Sequence, residues 1–200
     1  VEANIPDAVK EGSLFHFNKA GILYNYKGWE VSLQNGYWDV RMAHTFPYNS
    51  IQLISESPVM KDSWQTVVLA YDGSSKASGL KLYADGEPVA MRVERDNLYK
   101  NILSNKPGVQ KEIGLKLGAR WRSKGVPGTV IDEVYVYDRR LSDLEIKYLA
   151  GEKTEAENFE FYLGRHHDSY RGALADLAQL RGQRNDLNEH VREVMVMAER

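Results

Sequence analysis

A chain of 200 residues, 42% apolar and 27% charged, allows one sizeable domain or a smaller one with an appendage, and excludes wholesale disorder. Its formal net charge of −2 argues against a nucleic-acid partner or an anionic membrane surface, both of which call for an electropositive face. The absence of cysteine excludes disulfides, thiolate zinc sites, cysteine nucleophiles and thioether-linked haem.

No long apolar run is present, so membrane insertion is not expected. The opening "VEANIPDAVKEGSLF" carries neither the basic nor the apolar region of a signal peptide. Its lack of an initiator Met is what an excised fragment or a mature product would show. Residues 21–28, "GILYNYKG", read as a strand. Residues 29–42, "WEVSLQNGYWDVRM", form the strongest hairpin pattern in the chain, because Asn35-Gly36 suits a two-residue turn and both arms alternate. Trp29, Val31 and Leu33 share one face of the first arm. Trp38, Val40 and Met42 share one face of the second, which leaves Tyr37, Asp39 and Arg41 opposite.

Further strands are predicted at 50–54, on both sides of Asp72-Gly73, at 112–119 and at 129–138. Asp72-Gly73 and Asp85-Gly86 are both read as two-residue turns, making three neighbouring antiparallel strands. The stretch 92–111 has no clean period and reads as a crossover between sheets. Short strands separated by turns define an all-β antiparallel jelly-roll sandwich. Past Asp138 the pattern becomes helical. Ser142 with Glu145 makes a capping box for a helix over 141–151, stopped by Gly151. From Asp168 a long helix is expected, with Leu174, Leu177, Leu180, Leu187, Val191, Val194 and Met195 forming a stripe that needs a partner surface. Gly172 and Gly182 each weaken it by about 1 kcal/mol relative to Ala. The domains are therefore a jelly roll over 1–150 and a helical extension over 151–200.

Placed in order, "WQTVVLAYDGSSKASGLKLYADG" (64–86), "LKLGAR" (115–120) and "GTVIDEVYVYDRRLSDLEI" (128–146) resemble the central and closing strands of laminin-G-like, concanavalin A-like jelly rolls. The resemblance covers residues 13–150. "RDNL" (95–98), "LGAR" (117–120) and "EVMVMAER" (193–200) are also similar to a planctomycete-type multidomain family that joins a cytochrome c-like module, a jelly roll and a large C-terminal domain. That family's haem-binding Cys-x-x-Cys-His is absent, so no cofactor is implied. The resemblance implies an extracytoplasmic setting within a larger protein. It also implies that the family's opening strands are missing, leaving the strand 129–137 or its neighbour with unpaired backbone that another copy or a separate piece of the protein would cover.

Catalysis is not expected. Related jelly-roll glycosidases line one strand face with several acids, whereas here Asp132-Glu133 are adjacent and point apart, and Glu30 and Asp39 form no alternating trio. The histidines do not converge on a zinc site: His166-His167 reads as a solvated helix start and His16 as a strand surface residue. Asp72, Asp85, Asp96 and Asn97 are the calcium candidates implied by the resemblance, but the first two already serve turns and no metal is expected. For a glycan, the suitable groups are aromatic faces beside hydrogen-bonding side chains: Tyr37, Asp39, Arg41, Tyr48, Asn49, Arg120, Trp121 and Arg122. Trp29, Trp38 and Trp64 read as core, which leaves Trp121 as the exposed tryptophan. The preferred reading is a non-catalytic recognition module for a glycan. The alternative is a structural spacer that packs flanking domains or other chains of the same larger protein through Trp121 and the terminal helix.

Overall fold

The structure is a computed structural model that describes residues 1–18, 25–103, 114–120, 124–152 and 159–191. Its strands are β1 (Glu2–Asn4), β2 (Gly12–Asn18), β3 (Gly28–Gln34), β4 (Tyr37–Thr45), β5 (Asn49–Pro58), β6 (Trp64–Tyr71) and β7 (Leu80–Ala84). After these come β8 (Glu87–Pro88), β9 (Met91–Asp96), β10 (Lys116–Leu117), β11 (Ala119–Arg120), β12 (Lys124–Gly125) and β13 (Val130–Asp132). Helices α1 (Asp143–Leu149), α2 (Phe159–His166) and α3 (Asp168–Glu189) follow.

Two antiparallel sheets stack face to face. The larger has the order β10-β2-β3-β4-β5-β9 and the smaller β13-β1-β6-β7-β8, with β11 and β12 as a separate ribbon. Alternation fills the space between them: Val31, Leu33, Trp38, Val40, Ile51 and Leu53 from one side meet Ala3, Val67, Leu80 and Leu82 from the other. The smaller sheet is apolar on its outer face too. There Ala70 and Tyr83 pack with Leu141 and Ile146, so α1 lies on it as a third layer. Tyr83 is fully buried and its hydroxyl donates to Asp143 Oδ1 at 2.7 Å. The capping box of α1 forms as predicted, Ser142 accepting from the Glu145 amide.

Turn chemistry sets the hairpins. Asn35 and Gly36 take φ of 53° and 84°, so Gln34 stands opposite Tyr37 and the β3–β4 register follows. Asp85 and Gly86 do the same between β7 and β8. Asp72-Gly73 does not. Instead of a two-residue turn it opens a loop that runs to Gly79, because Asp72 Oδ1 accepts from the Ser74 amide at 2.8 Å and the Tyr71 hydroxyl from the Ser75 amide at 2.7 Å.

Other sequence expectations are corrected. Residues 25–27 turn rather than extend, with Asn25 and Tyr26 both at positive φ; residues 21–24 lie outside the described residues. Of the strand predicted at 112–119, residues 112–113 lie outside the described residues and the rest is divided by Gly118, φ 74°, into β10 and β11. The one at 129–138 stops at Asp132, where Glu133 turns left-handed and its amide binds Asp132 Oδ1. Residues 92–96, expected within a crossover, belong to β9, which as an edge strand with exposed side chains shows no apolar period; residues 104–111 of that stretch lie outside the described residues. Helix α2 had no counterpart in the sequence reading. Trp64, read as core, is 50% exposed: alternation puts it on the outer face with Val68, beyond the reach of α1.

The extension is held unevenly. Arg165 of α2 reaches Glu145 of α1 at 3.0 Å. The second half of α3 touches the sandwich through polar groups: Arg181 donates to the Asp72 carbonyl at 2.6 Å and Asn188 to the Tyr99 carbonyl at 2.9 Å. Of its predicted stripe, Leu174, Leu177, Leu180, Leu187 and Val191 are all exposed, while Val194 and Met195 lie outside the described residues. Replacing the buried Ile146 with Ala should lower the unfolding free energy by about 2–5 kcal/mol, measured by urea denaturation. A loss under about 0.5 kcal/mol would show that α1 is not part of the cooperative unit.

Candidate functional site

The outer face of the larger sheet is built from the positions that alternate with the core. Register places His16 opposite Glu30, Glu30 opposite Arg41, Arg41 opposite Gln52, and Gln52 opposite Arg95. One row of polar side chains thus crosses five strands, with Ser32 and Asp39 paired in the next row.

Most of this layer is buried. Glu30 is 1% exposed and Asp39 fully covered, so each carboxylate needs a counter-charge and hydrogen bonds. Asp39 accepts from Arg41, at 3.1 Å from Nε and again from Nη2, and from Gln52 Nε2 at 3.0 Å. Glu30 takes both oxygens to Arg120 Nη1, at 2.9 and 3.3 Å, and accepts from Asn18 at 3.4 Å. His16 Nδ1 faces the Asn18 amide at 3.4 Å and Nε2 the Ala119 carbonyl at 3.3 Å. An acceptor on one side and a donor on the other describes a neutral imidazole protonated at Nε2. Burial, partly opposed by Glu30, lowers its pKa below the ordinary histidine value.

Rings and guanidiniums sit together at the same face. Tyr26 and Phe46 meet edge to face at 6.1 Å. Arg41 and Arg95 lie 5.0 and 5.6 Å from the Phe46 ring centre, and Arg120 lies 5.6 Å from that of Tyr26. Arg41 and Arg120 are tied to carboxylates, whereas exposed Arg95 has no ion pair among the described residues.

The sequence-predicted residues divide. Asp39 and Arg41 lie on the expected face, but as a buried ion pair rather than an open ligand surface. Tyr37 is half-buried at the hairpin end of that face. Tyr48 is exposed, while Asn49, expected in a binding loop, is buried at the start of β5, where Oδ1 accepts from the Tyr99 amide at 3.0 Å. Arg120 binds Glu30. Trp121 and Arg122 lie outside the described residues. His16 is buried, not a surface residue, because β10 and β11 cover the edge of β2. Gln52, Tyr26, Phe46 and Arg95 went unnoticed in sequence; the period-two pattern of β5 carried the signal for Gln52, but the rings sit in turns with no period.

The calcium candidates are occupied by backbone. Asp72 binds the Ser74 amide, Asp85 that of Thr66, Asp96 that of Ala77 and Asn97 that of Ser50. Among the described residues no three acidic or imidazole groups converge as metal ligands. A half-open, largely apolar cavity of about 450 Å³ lies beside α1, walled by Tyr137, Leu141, Leu144, Tyr148 and Phe161. Its carboxylate, Glu145, is held by Arg139 at 2.6 and 2.8 Å, by Arg165 and by the Ser142 amide. The Arg139 hydrogen bond, helped by Ser142, lowers its pKa to about 2.

Two stacked antiparallel sheets with these connections define a concanavalin A-like jelly roll. The profile of the Laminin_G_3 family, described as the concanavalin A-like lectin/glucanases superfamily, matches residues 5–147, and the chain belongs to that family. Among solved structures, residues 221–444 of an S-layer domain-containing protein from Clostridium thermocellum are similar at 21% identity and a TM-score of 0.28. The likeness covers 72% of this chain and 64% of that one, so less than two thirds of the crystallised segment is spanned. No curated protein matches. The narrower likeness to planctomycete-type multidomain proteins is not shown by these matches. No described helix is long and apolar enough to cross a membrane.

Two outcomes follow from the ion pairs. Arg120→Ala leaves Glu30 buried without its counter-charge and should destabilise the fold by about 3 kcal/mol, read from denaturant midpoints at constant m. Glu145 contributes stability that is fully present above its ordinary pKa and is lost as pH falls from there towards about 2. In Glu145→Gln the acid limb of the stability–pH curve should therefore be shallower over that window, measured by urea titration at each pH.

Proposed function

We propose that the domain is a non-catalytic recognition module, with a glycan as ligand, inside a larger extracytoplasmic protein. One observation carries the non-catalytic part: Glu30 and Asp39, the acids that share the polar face, are each held by their own guanidinium and buried. They sit as diagonal neighbours on adjacent strands, about 7–8 Å apart, and neither presents a free carboxyl to a scissile bond. The family supports the general class, since lectins and glucanases share its superfamily; the fold alone assigns neither activity.

The ligand-contacting groups are those that reach solvent over this layer: the Phe46 and Tyr26 rings, Arg95 as hydrogen-bond donor, and Tyr48 and Tyr37 at the rim. A ring flanked by a guanidinium offers a sugar both a stacking surface and donors for its hydroxyls. Trp121 and Arg122 follow Arg120 directly in sequence and belong to the same proposed set. The extracytoplasmic setting rests on the family resemblance.

A second reading has its own observation. The exposed leucines of α3 and the exposed Phe159 and Tyr162 of α2 are what a spacer between flanking domains would offer as packing surface. Affinity electrophoresis against a polysaccharide panel separates the two. The glycan reading expects retardation that weakens about three- to tenfold in Arg95→Ala with unchanged thermal stability. If no polysaccharide retards the protein at millimolar sugar, the spacer reading replaces it.

A further inference from the structure

The cavity beside α1 takes no wall from a strand. The stretch before α1 supplies Arg139 and Leu141, α1 supplies Leu144, Glu145 and Tyr148, and α2 supplies Phe161 and Arg165. Helical spacing brings these side chains together. Leu144 and Tyr148 are four residues apart, as are Phe161 and Arg165, so each pair shares one face of its helix. One wall is fixed by the fold, because Leu141 is buried with Ile146, Tyr83 and Ala70 in the cluster that fastens α1 to the smaller sheet. Another stands open, since Tyr148 is 73% exposed.

The polar groups of this cavity carry surplus positive charge. Glu145 is shared by two guanidiniums: Arg139 forks onto it at 2.6 and 2.8 Å, and Arg165 reaches Oε1 through Nε and Nη2, both at 3.0 Å. The Ser142 amide and hydroxyl donate to Oε2 at 3.0 and 3.1 Å, so the carboxylate is fully engaged. The arginines are not. Arg165 Nη1 meets no acceptor among the described residues, and the side chain is half exposed. With a pKa of about 2, Glu145 is ionised near neutral pH, which leaves two positive charges against one negative. Asp138 acts on Arg139 from behind in sequence but does not wall the cavity.

We propose that this cavity is a binding site for a small aromatic carboxylate. Its volume of about 450 Å³ falls in the range that small-molecule ligands fill. Leu141, Leu144 and the rings of Tyr148 and Phe161 take an aromatic body out of water. A planar carboxylate matches the unused guanidinium donors of Arg165 and cancels the surplus charge. One surplus positive charge suits a monoanion. A neutral aromatic molecule would leave those donors to water, and a sugar would set its hydroxyls against leucine and ring carbon without partners. The inference is independent of the glycan reading, which concerns the larger sheet.

The probe is cinnamate, titrated against the full chain by ligand-observed NMR, with cinnamyl alcohol as the neutral isostere. Saturable binding of cinnamate is expected, with the alcohol about tenfold weaker or more. Arg165→Gln should weaken cinnamate by a similar factor while leaving Glu145 its fork to Arg139. Tyr148→Ala removes a ring at an exposed position, and should weaken binding about three- to tenfold with thermal stability unchanged. Arg95→Ala, on the other sheet, should leave cinnamate binding as it is. Absence of saturable binding at millimolar cinnamate overturns the proposal, as does equal binding of the alcohol. Binding that survives both Arg165→Gln and Tyr148→Ala, or that Arg95→Ala removes, places the ligand elsewhere and overturns it too. So does a dimer in sedimentation velocity that Tyr148→Ala dissociates, because the cavity would then receive a second copy.

Discussion

The register of the β3–β4 hairpin governs what the larger sheet can be. Asn35 and Gly36 accept left-handed backbone, and that turn pairs Val31 with Val40 and Glu30 with Arg41. A slip of β4 by one residue would carry Asp39 and Arg41 into the space between the sheets and expel Trp38, Val40 and Met42. Burying unpaired charge there would outweigh any alternative turn geometry. The hairpin therefore fixes not only the core but also the composition of the opposite face, and the neighbouring strands inherit it through Gln52 and His16.

That opposite face is polar without being open. A carboxylate taken out of water is tolerated only with close counter-charges and filled lone pairs, and this layer meets the demand by pairing each acid with one arginine and one amide, Asp39 with Gln52 and Glu30 with Asn18. Both carboxylates of this layer are thereby paired, while the buried Asn18 Oδ1 has no hydrogen-bond partner among the described residues. Above the layer stand the Tyr26 and Phe46 rings beside Arg120 and Arg41, and Arg95, whose guanidinium has the Phe46 ring as its neighbour. The proposed glycan reading uses these groups for stacking and hydrogen bonding.

Much of this was legible in the chain. Period-two alternation between turn residues identified two stacked sheets, the core side of β3 and β4, and the face holding Asp39 and Arg41. The capping box located α1. What alternation cannot tell is whether a non-core face is wet. His16 and Asp39 read as surface because their neighbours are apolar; His16 is buried because β10 and β11 arrive from distant sequence, and Asp39 because Arg41 of the same strand and Gln52 of the next close over it. Trp64 fails in the opposite sense: an apolar side chain on a covered face stays in water where the covering helix ends. β9 was missed because an edge strand need not be amphipathic. The break at Glu133 depends on one left-handed residue that no composition rule demands.

The two ends of the smaller sheet and the extension differ in how firmly they are attached, and the difference follows from the kind of contact. α1 is fastened by buried Ile146 and Leu141, an apolar contact that survives salt and is lost only with the sheet itself. α3 is fastened along its second half by hydrogen bonds from Arg181 and Asn188 to carbonyls at the sandwich rim. Each such bond in contact with water contributes about 0.5–1.5 kcal/mol net, and none of the residues in α3 is buried. Glu189 adds ion-pair contacts to Lys27 and His44 at that same end of the 22-residue helix. α1 thus shares buried apolar contact with the smaller sheet, whereas α3 meets the sandwich through polar groups and keeps its described leucines exposed.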